Sequence, residues 1–132
     1  MIYTLTFPEL LELTEQRADY WWKEIRKQYP SRVAKTPPVV YNNRLKTLAG
    51  RAWLERQFVE LSTELTLEHP IEQLEETLPH EFAHLVAYVV YNDKGHQTGW
   101  KTVMRSIGKN PNRCHYMINT LHEQRKQARI AA

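Results

Sequence analysis

Apolar side chains recur every three to four positions over about the first thirty residues, which is the spacing of an amphipathic helix. Thr6 is the expected N-cap of this helix, and Glu9, three residues later, completes a capping box. Pro30 marks its end, because proline has no backbone N–H with which to continue a helix. The apolar positions of the predicted helix are Leu10, Leu11, Thr14, Ala18, Trp21, Trp22, Ile25 and Tyr29.

Three short runs rich in β-branched and aromatic residues follow, at positions 39–41, 52–53 and 58–61. The second and third runs flank a predicted turn at residues 54–57, which indicates a hairpin. Together the three runs predict a small, mostly antiparallel three-stranded sheet. Residues 51–65 also fit a helical pattern, which is the alternative to the two later strands.

The second half of the chain is predicted to be helical. A long helix is expected over residues 71–91, with a kink at Pro79, which lies inside it. After a turn, a short helix at 98–107 is ended by Gly108. A tail helix is expected over about 115–129. The helices and the small sheet together predict an α+β fold.

Length and composition place these elements in one domain, residues 1–132, because the chain is 42% hydrophobic and 25% charged. No run of eighteen apolar residues is present, and the N-terminus lacks the basic flank and apolar stretch of a signal peptide. The single cysteine, Cys114, excludes an internal disulfide and suits a reducing compartment. We expect a cytoplasmic monomer that does not associate with membranes.

Charge is distributed unevenly along the second half. Residues 61–96 contain seven acidic and one basic side chain, whereas residues 97–132 contain seven basic and one acidic. Such segments are often solvated faces of a protein. The alternative is a basic surface that contacts the phosphate backbone of a nucleic acid.

The long predicted helix carries the sequence His80-Glu81-Phe82-Ala83-His84. Residues four apart lie on the same face of a helix, so His80 and His84 can offer imidazole nitrogens to one metal ion. Glu81 lies about 100° around the helix and is better placed to reach a metal-bound water. This arrangement is typical of zinc hydrolases, in which the metal lowers the pKa of the water and a carboxylate takes its proton.

The third metal ligand distinguishes the classes of zinc hydrolase. A metzincin has glycine three residues and histidine six residues after the second histidine, where this chain has Ala87 and Val90. A gluzincin uses a downstream glutamate, but none follows the motif until Glu123. The nearby donors are Asp93 and His96. His96 is favoured because the glycine before it allows a tight turn back towards the helix, and Asp93 is the alternative.

The chain resembles the SprT-like zinc metallopeptidases, the family that includes the Spartan proteases. Two blocks that contain the histidines carry this resemblance, residues 78–85 (LPHEFAHL) and 95–100 (GHQTGW). Residues 49–55 (AGRAWLE) and 59–62 (VELS) resemble the sheet segment of the family. Residues 113–116 (RCHY) resemble the segment that follows its short helix.

The resemblance implies a zincin-like domain with a core at about residues 39–116. It implies one Zn²⁺ per chain, held by His80, His84 and His96, with Glu81 as the general base. The expected activity is that of a zinc metalloendopeptidase, and the expected substrate is a protein or peptide.

Spartan-type members of the family cleave proteins crosslinked to DNA and are stimulated by DNA. This makes the basic C-terminal segment a candidate DNA contact, through Lys101, Arg105, Lys109 and Arg113. Bacterial SprT proteins continue into a cysteine-rich zinc ribbon, which the single cysteine of this chain does not allow. Roles carried by such a ribbon are therefore not transferred to this chain.

Three further residues are candidates for contact with the substrate or the transition state. His115 is either a packed histidine or a donor to the oxyanion of the tetrahedral intermediate. Tyr88 is either a cap on the metal site or part of the core, and Trp53 either packs or lines a substrate groove. The alternative function is a non-catalytic DNA- or protein-binding module with a structural zinc. A small-molecule metallohydrolase is a third reading of the same ligands.

Overall fold

The computed structural model describes residues 3–30, 35–111 and 115–131. It confirms the α+β class, with a long N-terminal helix, a small sheet, a helix that carries the histidine motif, and further helices after it. In chain order the elements are α1 (Phe7–Gln28), β1 (Val39–Asn42), β2 (Gly50–Trp53), β3 (Phe58–Ser62), α2 (Thr63–Glu68), α3 (Pro70–Glu72), a π-helical segment (Gln73–Thr77), α4 (Leu78–Tyr91), α5 (Thr98–Ser106) and α6 (Thr120–Ala131).

Helix α1 begins with the predicted capping box. The Thr6 hydroxyl accepts a hydrogen bond from the Glu9 backbone N–H at 3.2 Å, and the Glu9 carboxylate accepts one from the Thr6 N–H at 2.8 Å. The helix ends at Gln28, two residues before the expected proline. Leu11, assigned to the apolar stripe from its spacing, is 45% exposed, so the buried face is narrower than predicted.

The sheet has the order β1-β3-β2 and is mixed. Strands β2 and β3 form the predicted antiparallel hairpin, but β1 pairs with β3 in parallel, with Val39 opposite Val59. The expectation of a mostly antiparallel sheet was therefore wrong for β1. Its position follows from packing on α1, where the Tyr41 and Thr14 hydroxyl oxygens are 2.6 Å apart. The alternation of side chains predicts which face of a strand is buried, but not which neighbour it takes.

The helical stretch before the histidine motif is longer and less regular than predicted. It starts at Thr63, where the Ser62 hydroxyl caps α2 by accepting from the Leu65 N–H at 3.1 Å. Pro79 lies in the first turn of α4, directly after the π-helical segment. A proline is tolerated in the first turn of a helix. The observed irregularity is the π-helical segment Gln73–Thr77, which lies before the position at which the kink was predicted.

The C-terminal helices differ from prediction mainly in where the last one starts. Helix α5 ends at Ser106, and Gly108 follows with a φ of +72°, in the left-handed region that glycine favours. Helix α6 starts at Thr120 rather than near 115, because the Asn119 carboxamide caps it by accepting from the His122 N–H at 3.0 Å. None of the helices in the described ranges is long and apolar enough to cross a membrane.

The hydrophobic core surrounds α4, which packs against α1, the sheet and α5. Phe82 of α4 meets Trp22 of α1 with ring centroids 5.1 Å apart. Burial on several sides holds α4 firmly, so that any side chain projecting from its exposed face is presented at a fixed position. The largest fully buried side chains are Trp100, Phe82, Leu10, Ile25, Leu61, Leu65, Leu74, Leu78 and Leu85.

Candidate metal centre

Three imidazoles meet beside α4. The Nε2 atoms of His84 and His96 are 3.1 Å apart, and those of His96 and His80 are 3.3 Å apart. All three possible ligand atoms lie within 4.8 Å of one another. Around a tetrahedral zinc ion with Zn–N bonds of about 2.0–2.1 Å, neighbouring nitrogens are roughly 3.3 Å apart. The three histidines therefore have the donor type and the spacing that one small metal ion requires.

The environment of His84 keeps its ring in the form that binds metals. Burial, together with the neighbouring His80 and His96, lowers the pKa of His84 to about 3, although Asp93 and a hydrogen bond to the Gly95 backbone oppose this shift. The ring is consequently neutral, as a metal ligand must be. Contact of one ring nitrogen with the backbone leaves Nε2 directed at the other two histidines.

The turn that carries His96 is shaped by two residues directly after α4. Asn92 adopts a left-handed conformation, with a φ of 54°, and caps the helix. Asp93, only 3% exposed, accepts hydrogen bonds from the backbone N–H groups of Gly95 and Trp100, both at 2.8 Å. Burial alone would raise the pKa of Asp93, but its backbone donors outweigh that effect and lower it. Asp93, the alternative ligand in the sequence, lies outside the group of three histidines.

Trp100 of α5 backs the three imidazoles. Its ring centroid lies 4.8 Å from that of His80, 5.3 Å from that of His84 and 4.5 Å from that of His96. The indole N–H also donates to the His80 backbone carbonyl at 3.2 Å. Trp100 therefore packs directly against the rings that would hold the metal.

Glu81 lies beside the histidines with its side chain almost fully buried. One carboxylate oxygen is 3.6 Å from Nε2 of His80. Burial raises the pKa of Glu81 to about 8, against a hydrogen bond from the backbone of Ala52 in β2. The carboxylate is thus fixed between the metal-binding face of α4 and the neighbouring strand.

A cleft of about 990 Å³ opens over this cluster. The imidazoles and Glu81 form one side, and residues 48–50 at the start of β2 form another. Residues 115–118 close a third side, since His115 hydrogen-bonds to the Thr47 carbonyl and His69 to the Ile118 carbonyl, both at 2.8 Å. Strand β2 is an outer strand of the sheet, and it meets the cleft at its first residue, Gly50.

The three candidate substrate contacts are placed differently. His115 lines the cleft, but its Nδ1 accepts from the Met117 N–H at 3.1 Å and its Nε2 is bonded to Thr47, so both nitrogens are engaged. Tyr88 is half-buried and Trp53 is stacked on Phe58, and neither is among the described residues that line the cleft. The roles suggested for all three stay predictions.

The candidate DNA contacts differ in their exposure and in their ion pairs. Lys101 is half-buried and Arg105 is exposed, one helical turn apart on α5. Lys109 lies at the cleft, pairs with Glu76 at 3.2 Å and sits over the ring of Trp21 at 4.7 Å from its centroid. Arg113 lies outside the described residues.

Comparison with known proteins agrees with the geometry of the site. A model of the SprT-like family matches residues 18–123. Protein SprT of Vibrio parahaemolyticus is 40% identical over 72 residues, which cover 54% of this chain and 43% of that protein. Protein SprT of Pasteurella multocida is 31% identical over 105 residues, covering 77% and 63% respectively. No solved structure gives a significant match.

The matched relatives are longer than this chain. The alignment covers 43% of Protein SprT from Klebsiella pneumoniae, at 39% identity over 72 residues. The chain thus corresponds to about two fifths to two thirds of each of these curated relatives. The family model nevertheless covers most of this chain, including α4, the three histidines and α5. On that match, and with the histidine cluster that the structure brings together, the chain belongs to the SprT-like family.

Proposed function

We propose that this protein is a zinc-dependent endopeptidase. The observation that carries the proposal is the convergence of the Nε2 atoms of His80, His84 and His96 beside a buried carboxylate, that of Glu81. Within the described part of the chain, no fourth histidine, cysteine or acidic residue joins the three. Three protein ligands and one open position are typical of catalytic zinc sites, whereas structural sites are closed by four protein ligands.

The chemistry divides between the metal and Glu81. A zinc ion held by His80, His84 and His96 would supply a Lewis acid that polarises the scissile carbonyl and lowers the pKa of water. The charge of a bound zinc ion would keep Glu81 ionised against the effect of burial, so that its carboxylate can accept the proton of the attacking water and deliver it to the leaving amine. Its carboxylate is held for this task by the Ala52 backbone on one side and α4 on the other.

The expected substrate is an extended polypeptide. Strand β2 is an outer strand of the sheet, and its first residue, Gly50, lines the cleft that contains the three histidines. A peptide strand that adds to such an edge gains main-chain hydrogen bonds without needing a particular sequence. An outer strand beside the cleft therefore favours a peptide as the substrate, because a small molecule does not pair with a strand.

We further propose that substrates associated with DNA are brought to the cleft by α5. Lys101 and Arg105 lie on this helix, whose N-terminal end carries Trp100 against the metal-binding rings. A phosphate backbone held along α5 would lie next to the cleft and raise the local concentration of proteins bound to the DNA.

The experiment that tests the peptidase proposal compares the wild type with Glu81→Gln, His84→Ala and the control Glu55→Gln, which changes an exposed glutamate in the β2–β3 turn. Each protein is loaded with zinc, its metal content is measured, and cleavage of a denatured protein is followed. We expect Glu81→Gln to keep about one zinc per chain and to lose activity by roughly 10²–10⁴-fold, the usual contribution of a general base. His84→Ala should lose both metal and activity.

Two results would contradict the proposal. Wild-type cleavage that survives in Glu81→Gln would show that another group, or a contaminant, does the work. Zinc bound by four protein ligands in the wild type, seen by X-ray absorption, would favour the non-catalytic module with a structural zinc.

A further inference from the structure

Asp93 is a buried charged residue that the proposed reaction does not use. It lies between α4 and α5. Its carboxylate accepts two backbone hydrogen bonds, from the Gly95 N–H at Oδ1 and from the Trp100 N–H at Oδ2, each 2.8 Å long. The backbone N–H of Gln97 is a third donor. A buried carboxylate that is satisfied by several backbone donors fixes the conformation of the segment that supplies them.

Two of these donors flank the third histidine. Gly95 and Gln97 are the residues immediately before and after His96. Because the backbone is held on both sides of His96, its imidazole can change direction only by moving between the rotamers of its own side chain. The turn contains no regular secondary structure that would otherwise restrict it.

The remaining donor, the Trp100 N–H, links Asp93 to the other two histidines. Oδ2 holds the N–H of Trp100 in the first turn of α5, and the Trp100 indole packs against the rings of His80 and His84. The close approach of α5 to α4 is possible because residue 99 is glycine, where a Cβ would lie 3.1 Å from the Asp93 Cβ. One carboxylate thus acts on all three imidazoles through the backbone.

We infer that Asp93 is a positioning residue of the metal centre, which holds the His96 turn and Trp100 in the metal-binding arrangement before a metal arrives. The inference rests on the proposed metal function but not on the peptidase activity. The competing explanation is that Asp93 only stabilises the start of α5. The two differ because a positioning residue affects the geometry of the bound metal, whereas a purely structural residue affects only the stability of the fold.

The test uses cobalt, whose absorption spectrum reports coordination geometry. Co²⁺ is bound to the wild type, Asp93→Asn, His96→Ala and the control Asp19→Asn, in which an exposed aspartate that accepts a hydrogen bond from Thr36 is changed. Affinity for Zn²⁺ is measured by competition with a chelator, and thermal unfolding is recorded without metal. We expect Asp93→Asn to bind zinc about 10–100-fold more weakly and to shift the cobalt spectrum towards that of His96→Ala. Asp19→Asn should match the wild type in both.

A second measurement needs no variant. In the metal-free wild type, the amide hydrogens of Gly95 and Trp100 should exchange with solvent far more slowly than those of an open loop, because both are already bonded to Asp93. If Asp93→Asn does not fold, this measurement still tests the inference, because free exchange of the two amides would show that the turn is not held before the metal binds.

The inference is overturned if Asp93→Asn keeps the wild-type spectrum and zinc affinity while losing only thermal stability, or if the two amides exchange freely without metal. Failure of the peptidase proposal looks different. In that case the wild type binds metal with the expected spectrum, responds to Asp93→Asn as described, and cleaves no peptide.

Discussion

At the scale of single residues, the site depends on a close approach between α4 and α5. The point of approach is Gly99, where a Cβ would lie 2.6 Å from the Cβ of Tyr91. Real Cβ atoms do not approach one another this closely, so any side chain at position 99 must push α5 away from α4. Gly95, four residues earlier in the same region, has nothing within 4 Å of the position that a Cβ would take.

These two glycines form a matched pair for mutation. We expect Gly99→Ala to lower the free energy of unfolding by about 1–3 kcal/mol, the usual cost of overpacking. Gly95→Ala should stay within about 0.5 kcal/mol of the wild type. Urea denaturation of the metal-free proteins measures both, and equal effects of the two substitutions would contradict the close approach.

The chemical residues were predictable from sequence because their spacing is local. His80, Glu81 and His84 lie within one helical turn and a half, so the period of the helix places them without knowledge of the fold. The choice between Asp93 and His96 was harder. A carboxylate and an imidazole are both metal ligands, and only the backbone hydrogen bonds of the turn show that Asp93 is occupied.

At the scale of elements, the half-buried Glu64 of α2 holds Asn119, the residue that follows the cleft wall at 115–118. Glu64 of α2 accepts from Arg125 of α6 at 2.7 Å and from Asn119 at 3.0 Å, and it pairs with Lys46 at 3.2 Å. These contacts join α2, α6 and the loop before β2. The hydrogen bonds from Arg125, which have the largest effect, and those from Asn119 and Lys46 lower the pKa of Glu64 to about 2, although burial alone would raise it.

The depressed pKa predicts how stability responds to acid. A carboxyl group whose pKa is lower in the folded state stabilises the fold above its unfolded pKa of about 4.3, and this contribution is lost as the pH falls towards 2. We expect Glu64→Gln to lower the free energy of unfolding by about 1–2 kcal/mol at pH 7, less than the full shift implies because Arg125 is partly exposed.

The difference between Glu64→Gln and the wild type should shrink below about pH 4.3 and disappear near pH 2. Denaturation of both proteins at several pH values between 7 and 2 measures this difference in the free energy of unfolding. The control is Glu123→Gln, which removes an exposed pair with Lys126 on α6 and should have little effect at any pH. A difference that stays constant from pH 7 to pH 2 would contradict the assignment.

The elements themselves were predictable to different degrees. The hairpin of β2 and β3 is predictable because its turn is short and an aromatic residue of each strand, Trp53 and Phe58, flanks it. The parallel pairing of β1 depends on tertiary packing against α1, which a local pattern does not contain. The start of α6 was missed although Asn119 is a favoured N-cap residue, because the apolar and polar spacing before it also suits a helix.

At the scale of the whole molecule, the charge asymmetry of the sequence is partly internal. The acidic segment 61–96 and the basic segment 97–132 pair with each other in space, through Glu64 with Arg125 and Glu76 with Lys109. Among the described residues of the basic segment, Lys101, Arg105 and Arg129 form no such pair, and Lys126 pairs with Glu123 of the same helix. Lys101 and Arg105 lie on α5, whose Met104 lines the cleft, so electrostatic attraction of DNA to the cleft should depend mainly on α5.

The salt dependence of DNA binding tests whether Lys101 and Arg105 of α5 contact phosphate groups. Each phosphate contact that is lost should reduce the slope of log K against log salt concentration by about 0.9, so the double variant Lys101→Ala, Arg105→Ala should lose nearly 2. Lys126→Ala, which removes a lysine paired on α6, serves as the control and should keep the wild-type slope. Absence of DNA binding by the wild type, or an unchanged slope in the double variant, would contradict the proposed DNA contact.

The π-helical segment just before α4 has a consequence for the history of the chain. Its last bond runs from the Leu78 N–H to the Gln73 carbonyl, five residues back, so the segment holds one residue more than an α-helical turn. The segment has the geometry of a helix into which one residue is inserted, and the histidines that follow lie on the regular helix α4. A relative with a regular helix here will align with this chain only if one residue between Gln73 and Thr77 is left unmatched.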